Sequence, residues 1–213
     1  MQTLTKILKN YQHVIWDWNG TILDDLALTL FSINKQLIKH GLKSINQFEH
    51  RENFFFPIQE YYKTLGFNFE KISYHVLADD FARDYFEKFH QAKVFVGMPE
   101  LLGEIKQWGI LQSMLSASFE EHLLRVVKLH QLDPYFDYLF GIPSLLADSK
   151  ISRGQELITI AKVPLSKPIL VGDTNHDLEV GKILGVDVLL LADGHQSYER
   201  LSKLHHQVLR SRY

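Results

Sequence analysis

The chain has 213 residues, 46% of them apolar, enough to bury a full core in one large domain or in a core with an inserted subdomain. With 23 basic against 25 acidic residues the formal net charge is −2, which excludes a strong electrostatic footprint for nucleic acid, and no nucleic-acid partner is expected. The absence of cysteine excludes a disulfide scaffold, thiolate catalysis and Cys-ligated zinc. No stretch approaches the ~20 apolar residues of a membrane span and the first ten residues lack a signal-peptide core, so a cytoplasmic protein with no membrane partner is expected.

Residues 2–10 predict a short helix with Leu4, Ile7 and Leu8 on one face. Val14-Ile15-Trp16, β-branched and aromatic, predicts a buried strand that ends on Asp17, where Asn19-Gly20 forces a turn. In open α/β sheets ligands sit just beyond the carboxyl ends of the strands, so a carboxylate there is a candidate reagent. Asp24 and Asp25 suit the positive end of a helix dipole, and Leu26, Leu30, Ile33 and Leu37 then repeat at helical spacing up to Gly41. The pattern over 42–76 is weaker, with a break at residues 53–57 and a short helix from Ile58 to Leu65. Phe81, Ala82, Tyr85, Phe86 and Phe89 form an amphipathic stripe between Ala78 and Lys93. Residues 26–90 are therefore predicted all-helical inside a chain that otherwise alternates, which marks an inserted cap whose aromatic stripes form its own core.

The alternating pattern resumes at Val94. A helix opens at Pro99, carries Leu101, Leu102, Ile105 and Trp108, and closes at Gly109. Ile110 to Leu115 predicts a strand ending in hydroxyls. Ser118 and Glu121 have capping-box spacing ahead of Leu123, Leu124 and Val127. Tyr135 to Gly141 predicts another strand and Lys150 to Lys162 a helix. The strand at 169–172 runs into Gly172-Asp173, with Asp177 opening a helix to Leu184, and Val186 to Leu191 is a last buried strand. The basic tail from Leu204 to Tyr213 is expected to be a solvated end. Alternation of this kind predicts an α/β fold, a Rossmann-like, mostly parallel sheet with right-handed crossovers. The division expected is a core of residues 1–25 and 91–213 and an α-helical cap of residues 26–90.

Asp17, Asp173 and Asp177, the hydroxyls after 115, and Lys150 together describe a site for a hard cation and a phosphate. Residues 13–25, 110–118, Lys150 and 169–177 follow the order and spacing of four motifs, and with them the chain resembles the haloacid dehalogenase-like hydrolase superfamily. The likeness is greatest to its phosphoglycolate-phosphatase-like branch and covers nearly the whole length.

The resemblance implies a phosphatase acting on a small phosphorylated metabolite through an aspartyl phosphate on Asp17. It implies Mg2+ held by Asp17, Asp173 and the backbone carbonyl of Asn19, with Asp177 supporting the site through water or through Thr174 and Asn175. Thr21, Ser116, the amide of Ala117 and Lys150 would bind the substrate phosphate, Lys150 also neutralising charge during catalysis. Lys162 and Lys167 compete with Lys150 for that role, and His176 and the other ten histidines read as structural or surface. A cap cation such as Lys35, Arg51 or Lys63 reaching inward would favour a carboxylated substrate.

One position departs from the family. Its phosphatases usually carry a second aspartate two residues after the nucleophile, which protonates the leaving alcohol and then deprotonates water. Here that position is Asn19, and an amide cannot exchange a proton near neutral pH. General acid–base help is typically worth ~10²–10⁴-fold, so both half-reactions should feel the change. The alternatives are a phosphometabolite-binding or phospho-acceptor protein with little turnover and, ranked lower, a dehalogenase.

Overall fold

The computed structural model of the protein describes residues 1–143, 150–161 and 167–213. Successive side chains of a strand point to opposite faces of its sheet, and the first strand uses both faces for packing. In β1 (His13–Trp16), Val14 and Trp16 join a cluster with Leu4, Leu8, Met98 and Ile105. Ile15, on the other face, packs with Leu115, Leu157, Leu170 and Val180. A strand covered on both faces belongs inside a parallel sheet. β1 pairs parallel with β4 (Leu111–Phe119) on one side and β6 (Pro168–Gly172) on the other. Beyond β4 lies β5 (Tyr138–Ile142); beyond β6 lie β7 (Asp187–Leu191) and β8 (Val208–Leu209). The order is β5-β4-β1-β6-β7-β8 with every pairing parallel, the Rossmann-like α/β sheet expected.

That order decides where a ligand goes. The chain builds outward from β1 through β4 to β5, then crosses back to start β6 on the opposite side of β1. The strand order therefore reverses between β1 and β6, and the crevice at their carboxyl ends is the natural binding position. Trp16 lies opposite Val171, so the residues just past it, Asp17 and Asp173, emerge at the same edge.

Helices flank the sheet: α1 (Gln2–Leu8), α6 (Met98–Gln107), α7 (Glu120–Leu129), α8 (Lys150–Ile160), α9 (Asn175–Leu184) and the short α10 (Tyr198–Leu201). Between β1 and α6 the chain leaves and returns through an antiparallel ribbon of β2 (Leu23–Asp24) and β3 (Lys93–Val94). The ribbon brackets α2 (Leu26–Lys39), α3 (Gln47–Asn53), α4 (Ile58–Thr64) and α5 (Tyr74–Lys88). These helices bury a cluster of their own, built on Ile33, Leu37, Tyr61, Tyr62, Phe67 and Leu77. α3 falls in the stretch with the weak pattern, yet it opens on a capping box. Asn46 Oδ1 accepts from Glu49 N at 2.9 Å and the Glu49 carboxylate accepts from Asn46 N at 2.8 Å.

Two sequence expectations are corrected. Ser118 does not cap α7: Phe119 still pairs with Ile142 across an irregularity in β4, and α7 starts at Glu120 with no side-chain cap. Strand pairing thus carries Ser118 past the point where a helix would have used it. The basic tail is not a solvated end either. β8 adds a strand to the sheet, and the Arg212 side chain is fully buried. Among the described residues, no helix is long and apolar enough to cross a membrane.

Candidate active site

The loops after β1 and β6, and the first residue of α8, bring three carboxylates and a lysine together. Asp17 N extends the pairing of β1 by donating to Val171 O at 2.9 Å, which fixes the backbone and turns the side chain into the crevice. Lys150 Nζ donates to Asp17 Oδ1 and to Asp177 Oδ1, both at 2.5 Å. Asp177 Oδ2 accepts from Thr174 N at 3.0 Å, Thr174 Oγ1 at 2.7 Å and Asp173 N at 3.2 Å. Asp177 therefore both caps α9, as its third residue, and reaches the cluster. Asp173 accepts from Thr21 Oγ1 at 3.2 Å and from His195 N at 2.5 Å. All four charged groups are buried, and among the described residues Asp17, Asp173 and Asp177 offer oxygens within 4.8 Å of one another.

The electrostatics mark this cluster as short of positive charge. Burial, with Asp177 and Asp173 adding to it and Lys150 opposing, pushes the Asp17 carboxyl up to about 8. Burial likewise pushes Asp173 up to about 6, with Asp177 adding and His195 opposing. Asp177 is buried too, but Lys150 and the Thr174 hydrogen bonds hold it below the usual carboxylate range. Hard oxygen donors at this spacing fit a hard divalent cation. The backbone leaves room for the carboxylates: an added Cβ on Gly20 or on Gly194 would lie 2.2 Å from Asp173 Oδ2, and Gly20 also has φ +71°. The donor set and the glycine cradle around Asp173 both suit a bound metal ion.

The other expected residues fall out as follows. Thr21 is buried, and its hydroxyl is given to Asp173. Ser116 is buried on β4, the neighbour of β1, and its Oγ accepts from Ser118 N at 3.0 Å; Ala117 lies half-buried between them. Of the lysines that compete with Lys150, Lys167 sits over the Tyr11 ring at 5.1 Å and Lys162 lies outside the described residues. The cations of the helical insertion are engaged elsewhere: Lys35 pairs with Asp84 at 2.7 Å and Lys63 with Glu60 at 2.6 Å. Arg51 donates to Gly194 O at 2.8 Å and Asp193 O at 2.7 Å, strapping α3 to the loop after β7.

Four residues that sequence reasoning left outside the site belong beside it. Asp25 was expected at a helix start, and it does precede α2, but its buried carboxylate faces the loop after β1. It accepts from Gly20 N at 3.0 Å, Asn19 Nδ2 at 2.8 Å, Tyr85 OH at 2.8 Å and His195 Nε2 at 3.1 Å. His195 is one of the histidines read as structural or surface, and it is a buried structural one beside the cluster: its backbone holds Asp173 and its ring holds Asp25. Burial works against the imidazolium, yet Asp25, then Asp173 and Asp17, raise His195 to about 9, so it is a second cation in the cluster. Its place after β7, at the same sheet edge, was the available signal. Tyr85, on α5, came from a stripe read only as packing. Arg212 donates to Gly20 O at 3.0 Å, to Thr21 O, and to Asp193 Oδ1 at 2.7 Å, so the penultimate residue pins the turn that carries Thr21.

A doubly covered parallel sheet with buried acidic groups and a lysine at its switch point defines an α/β protein with an acidic cluster suited to a divalent metal ion. A family profile, haloacid dehalogenase-like hydrolase, matches residues 14–191, and the chain belongs to that family of hydrolases, within its phosphoglycolate-phosphatase-like branch. It is 28% identical over 180 residues, 81% of this chain and 78% of the other, to a protein of Caldanaerobacter subterraneus provisionally named pyrophosphatase PpaX. It is 25% identical to the phosphoglycolate phosphatase of Aquifex aeolicus, covering 85% of each chain. The fold is shared with a haloacid dehalogenase-like family hydrolase from Streptococcus pneumoniae, at TM-score 0.80 and 16% identity over 94% of both chains.

Proposed function

We propose that the protein is a Mg2+-dependent phosphatase that moves the phosphoryl group of a small phosphorylated metabolite to Asp17 and then to water. The buried cluster of Asp17, Asp173 and Asp177 around Lys150 carries this reading. Its likeness to proteins named as a pyrophosphatase and a phosphoglycolate phosphatase supports it. Asp17, Asp173 and the Asn19 carbonyl would hold the ion, with Asp177 behind them. When bound, Mg2+ supplies the charge that keeps Asp17 ionised beside an incoming anion and draws phosphoryl oxygens toward it.

In the first half-reaction a carboxylate oxygen of Asp17 attacks phosphorus, in line with the leaving oxygen. Lys150 bridges Asp17 and Asp177, so it holds the nucleophile's rotamer and offsets charge where the phosphoryl group arrives. Ser116 and the Ala117 amide form the phosphate cradle in this reading, with Thr21 behind them through its hydrogen bond to Asp173, and residues 26–90 act as a cap over a core of residues 1–25 and 91–213. Those cap helices shield the intermediate from water, α3 through Arg51 and α5 through Tyr85. A cytoplasmic location suits a cysteine-free enzyme of phosphorylated metabolites.

A panel of phosphorylated metabolites assayed for phosphate release, with Mg2+ or EDTA, tests the proposal. Turnover should need the metal and vanish in Asp17→Asn; turnover that survives Asp17→Asn refutes it. Mass spectrometry on the wild type separates the second reading. A lasting phosphoryl adduct on Asp17 without released phosphate identifies a phospho-acceptor protein.

A further inference from the structure

We infer that the site is built for phosphoryl compounds whose leaving group departs as a stable anion, an acyl phosphate or a phosphoanhydride, in preference to an alkyl monoester. This rests on the phosphatase reading and adds the substrate class.

The observation is the state of Asn19. Its Nδ2 donates to Asp25 Oδ2 at 2.8 Å and to Tyr85 OH at 3.0 Å, and its Oδ1 accepts from Ser118 Oγ at 2.7 Å. Both amide hydrogens have acceptors, so none is left for a departing oxygen. Its neighbours aim no hydrogen at a departing oxygen. The Tyr85 hydroxyl gives its own to Asp25 at 2.8 Å, and Asp25 is an acceptor on both oxygens, also taking Gly20 N, Thr29 Oγ1 and His195 Nε2. His195 turns its remaining ring nitrogen to His50 Nε2, 3.2 Å away. Position 19 therefore fastens the cap helix α5 to the loop after β1. An aspartate there would face the Asp25 carboxylate across the same short distance, so the amide belongs to the fastening.

The chemistry follows from that assignment. An alkoxide leaves poorly without a proton, and general acid help of ~10²–10⁴-fold is what such esters forgo here. An acyl phosphate or anhydride needs none. A carboxylate oxygen of Asp17 forms its bond to phosphorus, the phosphorus–oxygen bond to the leaving group breaks, and its electron pair departs on a carboxylate or phosphate anion. Water then attacks phosphorus, the bond to Asp17 breaks and returns its electron pair to the carboxylate, and both water protons leave on the inorganic phosphate.

The test compares kcat/KM for acetyl phosphate, p-nitrophenyl phosphate and phosphoglycolate on the full chain with Mg2+, each corrected by Asp17→Asn. The expected order follows leaving-group stability, with acetyl phosphate ahead of the alkyl ester by about 10²-fold or more, the lower end of the missing acid's worth. The double variant Asn19→Asp/Asp25→Asn supplies a carboxyl at the family's position with an amide to face it. It should narrow the gap by raising the alkyl ester, whereas Asn19→Asp alone should not. Should the double variant fail to fold by circular dichroism, the wild-type order decides alone. Equal kcat/KM on the alkyl ester and acetyl phosphate, both dependent on Asp17, overturns the inference and leaves the phosphatase reading standing. No Asp17-dependent release from any of the three overturns both.

Discussion

Arg212 offers the sharpest test of how this site is held. Its guanidinium is fully buried and forks between the Asp193 carboxylate and the carbonyls of Gly20 and Thr21, with the Phe95 ring 3.4 Å from its Cζ. Arg212→Ala removes the cation and leaves a largely buried carboxylate and two carbonyls without their donor. Breaking a buried pair this way costs ~3–5 kcal/mol; because Asp193 keeps 19% exposure, the lower end, about 3 kcal/mol, applies. At roughly 2–4 °C per kcal/mol for a chain of this size, the melting temperature should fall by about 6–12 °C. The loss has a second consequence. Gly20 and Thr21 pack on Asp173, so freeing their carbonyls should lower kcat well below the melting transition, where the fold is intact. Arg212→Lys keeps a charge but not the planar fork, and should fall between the two proteins in both measurements. Thermal melts followed by circular dichroism, paired with phosphate release at a temperature where every variant is folded, read both effects. An Arg212→Ala protein that melts within about 2 °C of wild type, under 1 kcal/mol on that scale, refutes the reasoning.

Two further outcomes are expected. Gly194→Ala places a methyl 2.2 Å from Asp173 Oδ2 and should lower turnover about 10²-fold, as misplacements near 1 Å do, while raising the Mg2+ needed for half activity; wild-type metal dependence would contradict the cradle. His13 is buried against Ser113, and burial lowers its imidazole to about 4 against 6.5 when unfolded. Between those values the unfolded chain binds the extra proton, so stability present above pH 6.5 is lost on acidification, by about 3 kcal/mol in full. His13→Gln should flatten the urea midpoint against pH between 6.5 and 4, and an unchanged slope in the variant would count against the assignment.

Much of this protein is written locally. Val14 to Trp16 and the run before Asp173 are apolar on both faces, which only a doubly covered parallel strand satisfies, and a carboxylate just past such a strand has one crevice to enter. The helical insertion was legible because a 3.6-residue period replaces strand alternation from Leu26 onward. Lys150, Asp173 and Asp177 meet Asp17 because β1 and β6 end side by side and α8 and α9 begin at that edge. What the local pattern could not carry was anything decided by a partner distant in the chain. Ser118 has a helix-capping spacing, yet pairing of Phe119 with Ile142 holds it in a strand and turns it to Asn19. Asp25 and His195 are 170 residues apart and bond only because β1 and β7 end at one sheet edge. Arg212 reads as one more charge in a basic tail until β8 docks and carries it under the turn at Gly20. Apolar period is a property of neighbours and survives in the sequence, whereas the partner of a buried polar group is set by which loops the sheet order brings together.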